Sequence, residues 1–126
     1  MKNGRVPIFS NLRTGQLGEK IARKYLEKKG YKIIDQNYRT KFAEIDLIIK
    51  KENEIIFIEV RTKRGDSFGL PEESFNQRKL KKLWLSAKFY ASRIGWRGPF
   101  RIDAICILLH QIKDTVKEIN HYKNII

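Results

Sequence analysis

The sequence contains one cysteine, two histidines and no apolar run approaching the roughly 20 residues needed to cross a bilayer. Each scarcity excludes a class of chemistry. Cys106 alone cannot form a disulfide within the chain or supply a multi-cysteine zinc site, so a reducing cytosol is the expected compartment. His110 and His121 stand apart and lack metal-ligand spacing to each other or to the cysteine. Ser74 has no histidine near it in sequence to activate it as a nucleophile; followed by Gln77, it fits a helix capping box instead. Met1-Lys2-Asn3-Gly4-Arg5 lacks the apolar stretch of a signal peptide, which leads to the expectation of a cytoplasmic protein, neither exported nor membrane-inserted. No repeat, low-complexity tract or interdomain linker interrupts the 126 residues, a length suited to one domain with one core.

Acidic residues are also scarce. Against 14 Asp and Glu stand 27 Lys and Arg, a net charge of +13. Self-repulsion of that size adds nothing to a fold, so the excess points to a polyanionic partner, with nucleic acid first among them. From Arg78 to Arg101 there are eight bases and no acid. A merely solvated face usually mixes both signs, so contact with phosphate is the favoured reading there. Arg78, Lys79, Lys82, Arg64 and Arg101 are the candidate nucleic-acid contacts.

Within that basic stretch Leu80, Leu83, Trp84, Ala87, Tyr90, Ala91 and Ile94 recur at three- and four-residue steps, the period of an amphipathic helix, and Gly95 supplies a stop. An earlier helix is expected from Leu17, Ile21, Ala22, Tyr25 and Leu26, capped by Thr14 and ended by a left-handed Gly30. Glu19 falls at the border of its buried stripe. Between the helices, Tyr31 to Tyr38 leads into two β-branched runs, Ala43 to Ile49 and Ile55 to Arg61, joined by the polar turn Lys50 to Glu54; this predicts a hairpin. A further strand is expected over Phe100 to Leu109 and an edge strand within Thr115 to Ile126. The order is that of an α/β sandwich. Residues 1–13 are expected to form a flexible basic arm, 14–126 a single domain, and Gly65 to Pro71 a flexible loop.

Asp46 and Glu59 interrupt the two most apolar segments of the chain. Burying an ionised carboxylate without a partner is costly, so each needs compensation. Side chains alternate along a strand, which puts Glu59, Arg61 and Lys63 on one face and allows a paired hairpin to bring Asp46 to them. Two outcomes remain open: a buried ion network of Asp46, Glu59, Arg61 and Arg101, or a divalent-cation site. Two carboxylates with a backbone carbonyl form the hard oxygen shell that Mg²⁺ (or Mn²⁺) accepts alongside water and phosphate oxygens.

Glu44-Ile45-Asp46-Leu47-Ile48, followed by Phe57-Ile58-Glu59-Val60-Arg61-Thr62-Lys63 and preceded by Gly18-Glu19-Lys20-Ile21-Ala22, resembles the YraN-type bacterial proteins of the PD-(D/E)xK nuclease superfamily. The likeness continues through Ser74, Lys79 and Leu83, Arg101-Ile102-Asp103 and His121-Tyr122-Lys123-Asn124, and so covers roughly residues 10 to 126. It implies a restriction endonuclease-like three-layer sandwich, a mixed central sheet flanked by helices. It also implies that Asp46 and Glu59 are metal ligands, that the Val60 carbonyl adds a third oxygen, and that Glu19 completes the site. Similar archaeal proteins resolve Holliday junctions. Arg61 stands where the superfamily has lysine, and an arginine that stays protonated cannot act as a general base; Lys63 is the alternative on the same face.

Two functions follow. The first is a Mg²⁺-dependent endonuclease acting on DNA, branched DNA by the resemblance alone, with a homodimer required for symmetrical resolution. The second is a nucleic-acid-binding module that keeps the fold without the catalysis.

Overall fold

A computed structural model describes residues 11–66 and 75–126. Helix α1 (Asn11–Lys28) leads to strands β1 (Lys32–Arg39), β2 (Glu44–Lys51) and β3 (Glu54–Arg64); helix α2 (Gln77–Arg93), β4 (Phe100–Leu109) and β5 (Val116–Tyr122) follow. The strands form one sheet in the order β1-β2-β3-β4-β5. All neighbours are antiparallel except β3 and β4, which are parallel. Parallel neighbours cannot be joined by a tight turn, and α2 lies on the crossover between them. The result is an α/β fold, a mixed five-stranded sheet with two helices among the described residues.

The central strands are covered on both faces, which is why β3 has the continuous buried run Ile55-Ile56-Phe57-Ile58 instead of an apolar and polar alternation. On one face Ala22 and Leu26 of α1 pack on Leu47, Ile49, Ile56, Ile58, Ile105 and Ile107. On the other, Leu83, Ala87 and Tyr90 of α2 pack on Ile45, Ile48, Ile55, Phe57 and Ile102. The apolar stripes of both helices therefore face the sheet as their spacing predicts, except that Ile94 lies at the C-cap of α2 and is 43% exposed. Gly30 (φ +91°) and Gly95 (φ +70°) take the left-handed turns that end them.

Several local expectations change. Helix α1 begins at Asn11, so residues 11–13 of the expected arm are helical and Thr14 sits inside the helix, its hydroxyl accepting from Arg64 Nε at 3.1 Å. The capping residue of α2 is Asn76, whose side chain accepts the Lys79 amide, so the helix starts later than a cap at Ser74 requires. Trp84 is about one-third exposed, against Phe100 at 4.9 Å between ring centres, and so flanks the core. Residues 1–10, and 67–71 of the loop expected at Gly65 to Pro71, lie outside the described residues, as does Ser74. Cys106 is buried, and burial pushes its thiol up, as suits an inert core residue. No helix among the described residues is long and apolar enough to cross a membrane.

Candidate active site

Register pairing of β2 with β3 runs from Lys51↔Glu54 to Leu47↔Ile58 and there it ends. Two residues further along β3, the Val60 amide has no β2 backbone partner in that ladder and donates instead to Asp46 Oδ2 at 2.7 Å. A side chain thus stands in for the ladder where the strands part. Glu59, 6% exposed, faces the same opening. Its Oε2 accepts from Arg61 Nε (3.1 Å) and from Lys79 Nζ (2.9 Å), the latter carried by the first turn of α2. Glu19 enters from α1, its Oε1 accepting from Asn37 Nδ2 at 3.0 Å. Together Thr14, Gly15, Glu19, Asp46, Glu59, Val60, Arg61, Thr62 and Lys79 line a cavity of about 350 Å³.

Gly18 lets α1 come this close. A Cβ at that position would lie 1.7 Å from Thr62 Oγ1, a distance no contact tolerates, so the glycine preceding Glu19 fixes the approach of helix to strand. Asn37 holds φ +51° in β1, between the register pairs Gln36↔Leu47 and Tyr38↔Ile45, which sets it across from Asp46. Asparagine tolerates the left-handed region better than other side-chain-bearing residues.

The electrostatics are unusual for a carboxylate pair. Burial, then the charges of Glu59, Glu19 and Glu44, push Asp46 up to about 8 against the counter-pull of the Val60 amide. Burial, the largest contribution, and the neighbouring carboxylates thus both disfavour the charged form of Asp46. A hard divalent cation would relieve the same repulsion. Among the described residues, no three His, Cys, Asp or Glu side chains close on one point. The donor set is instead two carboxylates and the adjoining backbone, which fits Mg²⁺, an ion that keeps several of its waters. Neither helix has an acid in its first turn, and α2 opens on Arg78 and Lys79. Bases at a helix N-terminus oppose its dipole, a local cost that an incoming anion would reverse.

The fold thus brings Asp46, Glu59, Val60, Arg61, Glu19 and Lys79 to one cavity. Arg78 and Lys82 are exposed beside it, where they line an adjacent cleft of about 420 Å³ with Lys79, Ala43 and Asn76. Three expected residues are elsewhere. Lys63 is exposed on β3 and does not line the cavity. The Arg64 side chain, 10% exposed, is committed to Thr14, to the carbonyls of His110 and Lys113, and to Asp114 at 2.6 Å; it ties β3 to the β4–β5 turn. Arg101 is not part of a network with Asp46 and Glu59, because the parallel register sets it opposite Ile56, three positions before Glu59. Its guanidinium binds Glu54 at 2.6 Å and Asp103 at 2.9 Å. His121, isolated in sequence, reaches the same Asp103 at 2.7 Å. Sequence reasoning missed Asn37, for which the one available signal was an asparagine inside a strand-like run.

What fold and site define is an α/β protein with a carboxylate-lined, base-rimmed cavity at the parting of two strands. Residues 18–107 match the uncharacterised protein family UPF0102, and the chain belongs to that family, the YraN-type proteins of the sequence resemblance. It is 40% identical over 111 residues to a UPF0102 protein of Caldanaerobacter subterraneus, covering 87% of this chain and 91% of that one. A UPF0102 protein of Alkaliphilus metalliredigens is 44% identical over 111 residues (87% and 93%), and one of Thermodesulfovibrio yellowstonii 42% over 116 residues (92% and 97%).

Proposed function

We propose that the protein is a metal-dependent endonuclease that hydrolyses phosphodiester bonds in DNA, on a restriction endonuclease-like three-layer sandwich. The observation that carries this reading is Asp46 sharing one cavity with Glu59 and Glu19, where burial and then carboxylate repulsion raise Asp46 to about 8, beside a cleft lined by exposed bases. A structural ion network would pair each of its acids with a base; here both bases, Arg61 and Lys79, go to Glu59, while Asp46 accepts a backbone amide. Asp46 and Glu59 would hold Mg²⁺ or Mn²⁺ with the Val60 carbonyl, and Glu19 would contribute from α1. The cation, when bound, supplies an acidified water and neutralises charge at phosphorus. Arg61 fixes the Glu59 carboxylate through its Nε. Arg78 and Lys82 grip the flanking backbone, and charge-driven contacts of this kind weaken steeply with salt. Symmetrical cutting of a four-way junction would need two cavities related by a twofold axis, hence a homodimer.

End-labelled linear and four-way-junction DNA, incubated with Mg²⁺ or Mn²⁺, tests the reading. Metal-dependent product is expected, reduced at least about 100-fold in Asp46→Ala; equal cutting by that variant, or no product from the wild type, refutes it. One observation favours a binding module instead: Glu59 is already neutralised by two cations, Arg61 and Lys79. That reading predicts salt-sensitive DNA binding that is indifferent to divalent metal.

A further inference from the structure

Arg61 occupies the position at which the resemblance calls for lysine, yet its geometry commits it. Its Nε is bonded to Glu59 and its guanidinium lies 4.7 Å over the Phe75 ring. A planar fork held by a carboxylate on its edge and a ring on its face has little freedom to follow a reacting phosphate. The cavity has a second cation, and it arrives from a different element. Lys79 stands in the first turn of α2, its own amide locked by the Asn76 cap, and its ammonium reaches Glu59 at 2.9 Å. Its side chain is 42% exposed, against 28% for Arg61, so the head group meets both the buried acid and the open mouth of the cavity. An ammonium has three rotatable donors; the bond to Glu59 uses one and leaves two to direct at a ligand.

We propose that Lys79 is the catalytic lysine of this protein, donating to the phosphoryl oxygens of DNA and supplying the mobile positive charge that Arg61 cannot. This rests on the phosphodiesterase reading above. In the step it serves, a lone pair of a water oxygen forms the new O–P bond while the P–O bond to the leaving deoxyribose oxygen breaks, its electron pair staying on that oxygen. The water loses one proton to solvent and the leaving oxygen gains one from solvent. Lys79 neither gains nor loses a proton; it donates hydrogen bonds to the non-bridging oxygens as charge builds there, and Glu59 holds it in place. Arg61 becomes a positioning residue for Glu59.

Steady-state cleavage of a labelled duplex by the full chain separates the alternatives. Lys79→Met keeps the aliphatic stem and is expected to lower kcat by about 100-fold or more, the scale of losing one preorganised donor, with KM within about threefold of wild type. Lys79→Arg should recover part of kcat, and Mn²⁺ affinity by calorimetry should be unchanged or tighter, since a cation beside Glu59 is gone. Lys82→Ala, on the exposed flank, should raise KM and leave kcat. If Lys79→Met changes KM alone, Lys79 is an ordinary phosphate contact and the proposal falls while the nuclease reading stands. If the loss tracks a fall in thermal stability, or if Lys79→Met is as fast as wild type, it also falls. A wild type that binds Mn²⁺ and DNA but never cuts overturns both readings together.

Discussion

Two aspartates stand among the apolar strands of this sheet, and their surroundings treat them in opposite ways. Asp103, fully buried on β4, would be raised by burial, but His121, Arg101 and the Asn124 amide outweigh that and hold its carboxyl below the ordinary range. Asp46, on β2, has one backbone amide against burial and three nearby acids, and rises to about 8. Residue type and strand context are similar, and Asp103 is the more deeply buried of the two; what differs is the count of donors, three groups on Asp103 against one amide on Asp46. A buried acid whose acceptors are filled is part of the frame, whereas one left short of positive charge marks a place where charge is expected to arrive.

The largest effect should come from breaking the satisfied member. Asp103→Ala leaves Arg101 and His121 without their buried acceptor and is expected to cost about 3–5 kcal/mol, read by urea denaturation; a loss under about 1 kcal/mol would reduce that cluster to surface chemistry. Next is the helix approach. Gly18→Ala drives a methyl into Thr62 and should cost about 1–3 kcal/mol, together with weaker Mn²⁺ binding because Glu19 moves with the helix; a neutral result would mean that α1 can shift freely.

The unsatisfied member should respond with the opposite sign. Since Asp46 is raised in the folded state above its unfolded value of 3.8, the folded chain binds more protons between about pH 4 and 8, and its contribution to metal-free stability falls as pH rises through that window. Asp103, being lowered, contributes stability that is present above its unfolded value and lost as pH drops through its folded one. Asp46→Asn keeps an acceptor for the Val60 amide and removes the repulsion. It should raise the metal-free melting temperature at pH 8 by a few degrees, about what 1 kcal/mol gives a chain of this size, with the gain vanishing near pH 4. A variant that melts lower than wild type at pH 8 would show that Asp46 is already compensated. The smallest effect is expected from Asn37→Gly, which retains the left-handed backbone but frees Glu19: stability nearly unchanged, Mn²⁺ affinity down a few-fold by calorimetry. Unaltered affinity would remove Glu19 from the site.

Much of the frame was legible because it is local. The stop at Gly95, the turn within Lys50 to Glu54 and the strand Phe100 to Leu109 depend on neighbours in sequence, and all three stand as expected. Asp46 and Glu59 were legible as acids in the wrong surroundings, and their hairpin does bring them together. What failed depended on non-local register. Arg101 was grouped with Glu59, but a parallel pair takes its register from the crossover, which no short motif encodes. Arg64 is a candidate nucleic-acid contact by sequence, but the β4–β5 turn folds back over it and takes its guanidinium. The one-sign helix face marks Lys79 as a phosphate contact; that it also reaches Glu59 follows from how α2 docks on the sheet. Asn37 gave almost no signal, since its role lies in one backbone angle and one contact with α1.

The most direct test is calorimetric titration of Mn²⁺ into the metal-free protein at pH 7.5. One divalent ion per chain is expected to bind with release of the Asp46 proton, visible as a heat that depends on the buffer's ionisation enthalpy, and binding should be lost in both Asp46→Asn and Glu59→Ala. Absence of binding by the wild type, or binding that survives both substitutions, would contradict the assignment of this cavity as a metal-dependent catalytic centre.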